Sequence, residues 1–151
     1  MFRTLVAMSL LAMIWHCLSG PSHAESTPNS LSVAEQRGGW ELLFDGETTK
    51  GWRNYQKAEI ADGWTVADGA LVRTADGAGD IVSVDQYEFF ELSIEYRIAP
   101  KGNSGVLFHV TEAAEKPWHS GPEIQIQHSA EGPKAQKSGW LYDLYQPVKP
   151  D

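Results

Sequence analysis

Phe89-Phe90-Glu91-Leu92-Ser93-Ile94-Glu95-Tyr96-Arg97-Ile98 sets Phe90, Leu92, Ile94, Tyr96 and Ile98 on one side and Glu91, Ser93, Glu95 and Arg97 on the other. Successive side chains of a strand point to opposite faces, so this alternation predicts a β-strand with one buried and one wet face. Working outward, short strand-like runs recur at 40–44, 64–66, 70–73, 81–84, 104–110 and 123–128, with Asp45-Gly46, Asp62-Gly63, Asp68-Gly69 and Asp76-Gly77 as turn chemistry. Asp68-Gly69, between Trp64-Thr65-Val66 and Ala70-Leu71-Val72, is the strongest hairpin signal. Helical spacing is confined to a possible turn at 111–115, and no internal repeat is visible. The expected fold is all-β, a two-sheet antiparallel sandwich or jelly roll.

The N-terminus reads as an export signal. Arg3 precedes an apolar run from Leu5 to Leu18, and Ser22-His23-Ala24 offers a small-residue cleavage site. The run is shorter than the roughly 20 residues a spanning helix needs, so the expectation is a secreted or periplasmic product with no membrane contact after cleavage. The chain's one cysteine, Cys17, lies inside this leader, so stability must come from burial rather than from disulfides. Residues 25–38, rich in Ser, Thr, Pro, Gln and Asn, read as a flexible linker, which leaves 39–151 as one domain. A formal charge of −8 over 151 residues argues against nucleic acid or an anionic membrane as partner.

Candidate chemistry gathers in Lys101-Gly102-Asn103-Ser104-Gly105-Val106-Leu107-Phe108-His109-Val110 and Gly121-Pro122-Glu123-Ile124-Gln125-Ile126-Gln127-His128. The alternation turns Val106, Phe108, Val110, Ile124 and Ile126 toward a core and leaves His109, Glu123, Gln125 and Gln127 on the opposite face. Such a face can hold a polar ligand, although a solvated face is equally ordinary in antiparallel sheets. Trp118, Trp140, Tyr142 and Tyr145 stand in loop-like or strand-end contexts where rings stack on sugars, with His119 beside Trp118. Trp40, Trp52 and Trp64 instead read as core packing. Asn103 and Ser104, between two glycines, suit a tight turn that shapes the pocket.

The chain also resembles the 3-keto-disaccharide hydrolase domain, a secreted concanavalin-like jelly roll. The resemblance is carried by Trp40-Glu41-Leu42-Leu43-Phe44-Asp45-Gly46, Gly51-Trp52, Trp64-Thr65-Val66-Ala67-Asp68-Gly69-Ala70-Leu71, Gly79-Asp80-Ile81-Val82, the alternating segment 89–98, Gly102-Asn103-Ser104-Gly105-Val106, Gly121-Pro122-Glu123-Ile124-Gln125-Ile126 and Gly139-Trp140-Leu141-Tyr142-Asp143-Leu144-Tyr145. Members of that family usually continue with further strands, so the resemblance implies a domain cut short at its C-terminus, where this chain ends Val148-Lys149-Pro150-Asp151. It also implies cleavage of glycosides already oxidised at carbon 3. The ketone acidifies the C2 hydrogen, a general base removes it, the C1 group leaves, and water adds to the double bond. On this basis Glu123 ranks first as base, then His109, where many members carry Arg. Asp143 would bind a sugar hydroxyl or join Glu123 and His109 around a divalent cation. Gln125, Asn103, Trp118, His119, Trp140, Tyr142 and Tyr145 complete the expected carbohydrate site. A non-catalytic carbohydrate-binding module on the same sandwich is the alternative, and an adhesion or scaffold domain the third class considered.

Overall fold

The structure, a computed structural model, describes residues 27–128 and 136–146. The leader 1–24, with Cys17, and the terminal residues 147–151 lie outside the described residues. Among the described residues six strands are formed: β1 (Trp52–Asn54), β2 (Trp64–Ala67), β3 (Ala70–Arg73), β4 (Ile81–Ser83), β5 (Asn103–Leu107) and β6 (Glu123–Gln127). They pair as three antiparallel ladders, β1 with β4, β2 with β3 and β5 with β6. The fold is all-β, as the strand pattern predicts.

The β2–β3 hairpin forms where Asp68-Gly69 predicts it. Asp68 and Gly69 take φ of 51° and 71°, and Ala67 pairs with Ala70 across the turn. Positive φ at both central residues matches the right-handed twist of the flanking strands, and it is the reason Gly occupies the second position. The strand β1 is not among the runs predicted above, because Trp52-Arg53-Asn54 is too short and polar to alternate visibly. Its pairing with β4 is locked by Asn54, buried, whose Nδ2 donates to the carbonyls of Ala78 at 2.6 Å and Asp80 at 3.1 Å while its Oδ1 accepts from Ala61 N at 2.6 Å.

Three expectations change. Segment 89–98 joins no ladder among the described residues, and its apolar side is open, with Phe90 47% and Ile94 55% exposed. Alternation encodes which way side chains face; a strand also needs a neighbour for its N–H and C=O groups, and none of β1 to β6 lies beside this one. Segment 40–44 forms no ladder either: Trp40 N donates to Glu35 O, and Leu43 O accepts from Trp52 Nε1 at 2.7 Å. Inside the stretch read as linker, Ser32 caps a one-turn helix, α1 (Val33–Arg37), with Glu35 returning the bond to the Ser32 backbone. Asn29 Nδ2 then ties the approach to α1 to Gly69 O at 2.8 Å.

The ladder that positions the candidate site is β5–β6, in the register Asn103↔Gln127, Gly105↔Gln125 and Leu107↔Glu123. The far edge of β6 is also occupied: Gln125 N donates to Trp140 O, Gly139 N to Gln125 O and Tyr142 N to Glu123 O, at 2.8 to 2.9 Å. An Ile124↔Leu141 bridge continues this contact. The β6 strand is therefore central, with Ile126 buried on one face and Gln125 on the other.

Candidate functional site

Opposed residues of an antiparallel pair share a face, so Asn103, Gly105, Leu107, Glu123, Gln125 and Gln127 form one side of the β5–β6 ladder. The alternation predicts this polar face; its burial is a finding. Gln125 is 2% exposed, and its Nε2 donates to Asn103 Oδ1 at 2.8 Å and Gln127 Oε1 at 3.1 Å. Its Oε1 is buried with no hydrogen-bond donor among the described residues.

Glu123, half-buried, lays its carboxyl across Gly105. A Cβ at Gly105 would coincide with the Glu123 Oε1, Cδ and Cγ atoms, so this position tolerates no side chain while the carboxyl lies there. Burial pushes the Glu123 pKa up, and the Asp80 carboxylate pushes it further. Asp80, which acts on the Glu123 carboxyl through its charge, is not among the site residues expected from the sequence. It is one of many turn-flanking aspartates in the sequence, and only the turn that Asn54 Nδ2 and Tyr55 N hold by its backbone carbonyl marks it out.

His109 is not on a strand. The β5 strand ends at Leu107, His109 takes φ of 53°, and its exposed ring lies 6.0 Å from Phe90 and 5.7 Å from Phe108 between centroids. The left-handed residue breaks the alternation that would have aimed the imidazole from the same face as Glu123. Asp143 likewise sits in a turn, at φ of 55°, and accepts from Gln136 Nε2 at 3.4 Å. Among the described residues no three His, Cys, Asp or Glu side chains are grouped to hold a metal ion, so Glu123, His109 and Asp143 are not assembled as the cation site the resemblance allowed. No step below runs through a metal.

The aromatic expectations divide. Trp118 is exposed in a 3-10 turn, Pro117–His119, with its ring edge-to-face against His119 and Lys116 Nζ 5.9 Å from its centroid. Tyr142 and Tyr145 are exposed and Trp140 is half-buried, all in the segment bonded to the far edge of β6. Asn103 belongs to β5 rather than to a turn, and it serves Gln125. Of the packing tryptophans, Trp52 and Trp64 are half-buried with their indole N–H groups on Leu43 O and Gly79 O; Trp40 is half-buried outside any strand.

A second anchor orients the loop between β5 and β6. Arg53 reaches Glu112 through two bonds of 2.7 Å, Gln56 N donates to the same carboxylate at 2.6 Å, and Tyr55 Oη lies 2.9 Å from Thr111 O and 2.7 Å from Ala114 O. The paired guanidinium and the backbone donor hold the Glu112 pKa down at about 2. At the other side, Thr111 N meets Ser120 Oγ at 3.1 Å.

Residues 39–151 match the family model described as the 3-keto-alpha-glucoside-1,2-lyase-like domain. The chain belongs to this family. A curated Bacteroides thetaiotaomicron protein named 3-keto-disaccharide hydrolase is 28% identical over 145 residues, covering 80% of this chain and 50% of its own length. A crystal structure of a Parabacteroides distasonis protein, described provisionally as a glycosyl hydrolase, is 30% identical with a TM-score of 0.64, over 82% of this chain and 62% of that one. The chain thus spans half the length of the curated relative it matches. Membership in the lyase-like family, with relatives named as hydrolases, makes glycoside cleavage the chemistry against which the Glu123 face is judged.

Proposed function

We propose that this chain acts on glycosidic bonds of 3-keto sugars, by abstraction of the C2 proton, elimination of the C1 group and hydration of the resulting double bond. The observation that carries the reading is the Glu123 carboxyl, half-buried across Gly105 and raised in pKa by its burial and by Asp80. A general base works best when its pKa lies near the working pH, so a raised carboxylate is better suited to the C2 proton than an ordinary exposed one. Trp118, Tyr142 and Tyr145 supply exposed rings for the sugar's C–H faces, and Asp143 and His119 supply polar groups for its hydroxyls. The leader-like N-terminal sequence supports a secreted or periplasmic location, where carbohydrate substrates arrive already oxidised by another enzyme.

The test is turnover of a 3-keto-glucoside or 3-keto-trehalose-like disaccharide. Glu123→Gln, which keeps the shape and removes the base, is expected to lower kcat by about 10²- to 10⁴-fold with the circular dichroism spectrum unchanged. Wild-type protein that binds glycans without turnover would refute this reading in favour of the binding-module alternative, which the same exposed rings support.

A further inference from the structure

We propose that the side-chain carbonyl of Gln125 accepts a hydrogen bond from Glu123 whenever Glu123 carries a proton, making Gln125 a positioning residue for the base. The inference rests on the reading of Glu123 as base given above.

It begins from an unmet need. Gln125 is sealed from solvent, and its Oε1 has no donor among the described residues. A buried acceptor left unpaired is costly, and few are found in native proteins. Turning the Gln125 amide alone does not help, because Nε2 serves Asn103 Oδ1 and Gln127 Oε1, and reversal would set oxygen against those two acceptors unless both neighbouring amides turned with it. Bulk solvent is shut out by the same burial, which turns attention to donors on the residue's own sheet face.

The neighbour in position is Glu123. It lies two residues away on the same face of β6, and its carboxyl occupies the space above Gly105, the residue directly opposite Gln125. Opposed positions of an antiparallel pair begin only about 4.5–5.5 Å apart, so a carboxyl folded over Gly105 starts within side-chain reach of Gln125. Ionised, that carboxyl brings acceptors only; protonated, it brings one O–H donor. The β5 side of this face offers Gly105 and Leu107, the β6 side offers amides, and the charge that acts on Glu123 is that of Asp80, from the turn before β4. Amide and carboxylate thus both favour the protonated state. In the reaction the C2–H bond breaks, its electron pair passes into the enolate, and the proton stays on a Glu123 oxygen with its O–H directed at Gln125.

The experiment is a carbon-13 NMR titration of protein labelled at the Glu and Gln δ-carbons, with Glu123→Gln and Gln125→Met used for assignment. In the wild type, the Glu123 δ-carbon is expected to titrate above the ordinary glutamate range, and the Gln125 δ-carbon to move with the same midpoint. Gln125→Met is expected to lower the Glu123 midpoint by about one pH unit, the worth of one hydrogen bond. A Gln125 signal that ignores the Glu123 titration, or a midpoint unmoved in folded Gln125→Met, overturns the proposal. The wild-type comparison decides alone if the variant does not fold. Because these signals need no substrate, a protein that titrates as described yet leaves 3-keto glycosides intact would sink the functional reading, and with it the positioning role, while leaving the Glu123–Gln125 hydrogen bond standing.

Discussion

At Glu123 the physics of a single carboxyl separates two roles that sequence treats alike. The chain contains 20 acidic residues, and among them Glu123 is held against burial and against Asp80. A base acts in its deprotonated form, so kcat/KM should climb as pH rises through the elevated Glu123 pKa, placing the acid limb of the profile above the ordinary glutamate range. Asp80→Asn removes the opposing charge while keeping the side-chain shape. The limb is expected to move to lower pH in this variant, read from kcat/KM profiles of the two proteins side by side; a limb that stays put would mean that burial alone sets the value. The stability sign is the reverse of the usual carboxylate. A folded pKa above the unfolded one favours the folded state at low pH, and this contribution is lost as pH rises through the folded value.

Among the elements, the loop that joins β5 to β6 is held by charge rather than by a core. Arg53 on β1 grips Glu112, and the carboxylate also accepts from Gln56 N, which keeps its pKa at about 2. The contribution is present above the unfolded glutamate pKa, near 4, and is lost as pH falls toward 2. The protection factor of the Gln56 amide, its exchange rate relative to the unstructured rate at the same pH, should therefore fall as pH drops through that window in the wild type and be low throughout in Glu112→Gln; protection of Gln56 that persists at pH 2 would contradict the assignment. The clasp was not legible in the sequence, because 59 positions separate Arg53 from Glu112 and nothing local pairs them. What was legible is what local chemistry determines. Asp68-Gly69 announced its hairpin because φ preference acts within two residues, and Glu123-Ile124-Gln125-Ile126-Gln127 announced a strand with a polar face. Alternation could not tell that the far edge of β6 would be covered by 139–142 and the Gln125 amide buried, nor that His109 would leave the strand at positive φ.

Over the whole molecule, the same limit appears as unshielded apolar surface. The described residues bury little: Ala78, Pro117 and Ile126 are the buried apolar residues among them, while Phe89, Phe90, Leu92, Ile94 and Tyr96 stand open along one segment. The alternation of 89–98 specifies a face meant for a layer of its own, and a sandwich requires the opposing layer to be present before that face is covered. Both relatives compared extend well beyond the stretch this chain matches. A contiguous stripe of this kind favours self-association and dye binding in the 151-residue polypeptide. That polypeptide is expected to bind an environment-sensitive naphthalene sulfonate dye near neutral pH and to sediment with concentration-dependent mass. Replacing Ile94 and Tyr96 together by Lys should reduce both signals several-fold while leaving the β2–β3 hairpin resonances unchanged. Dye binding that survives the double substitution would place the exposed surface elsewhere, because charges on this side of the segment oppose both strand-edge pairing and apolar contact.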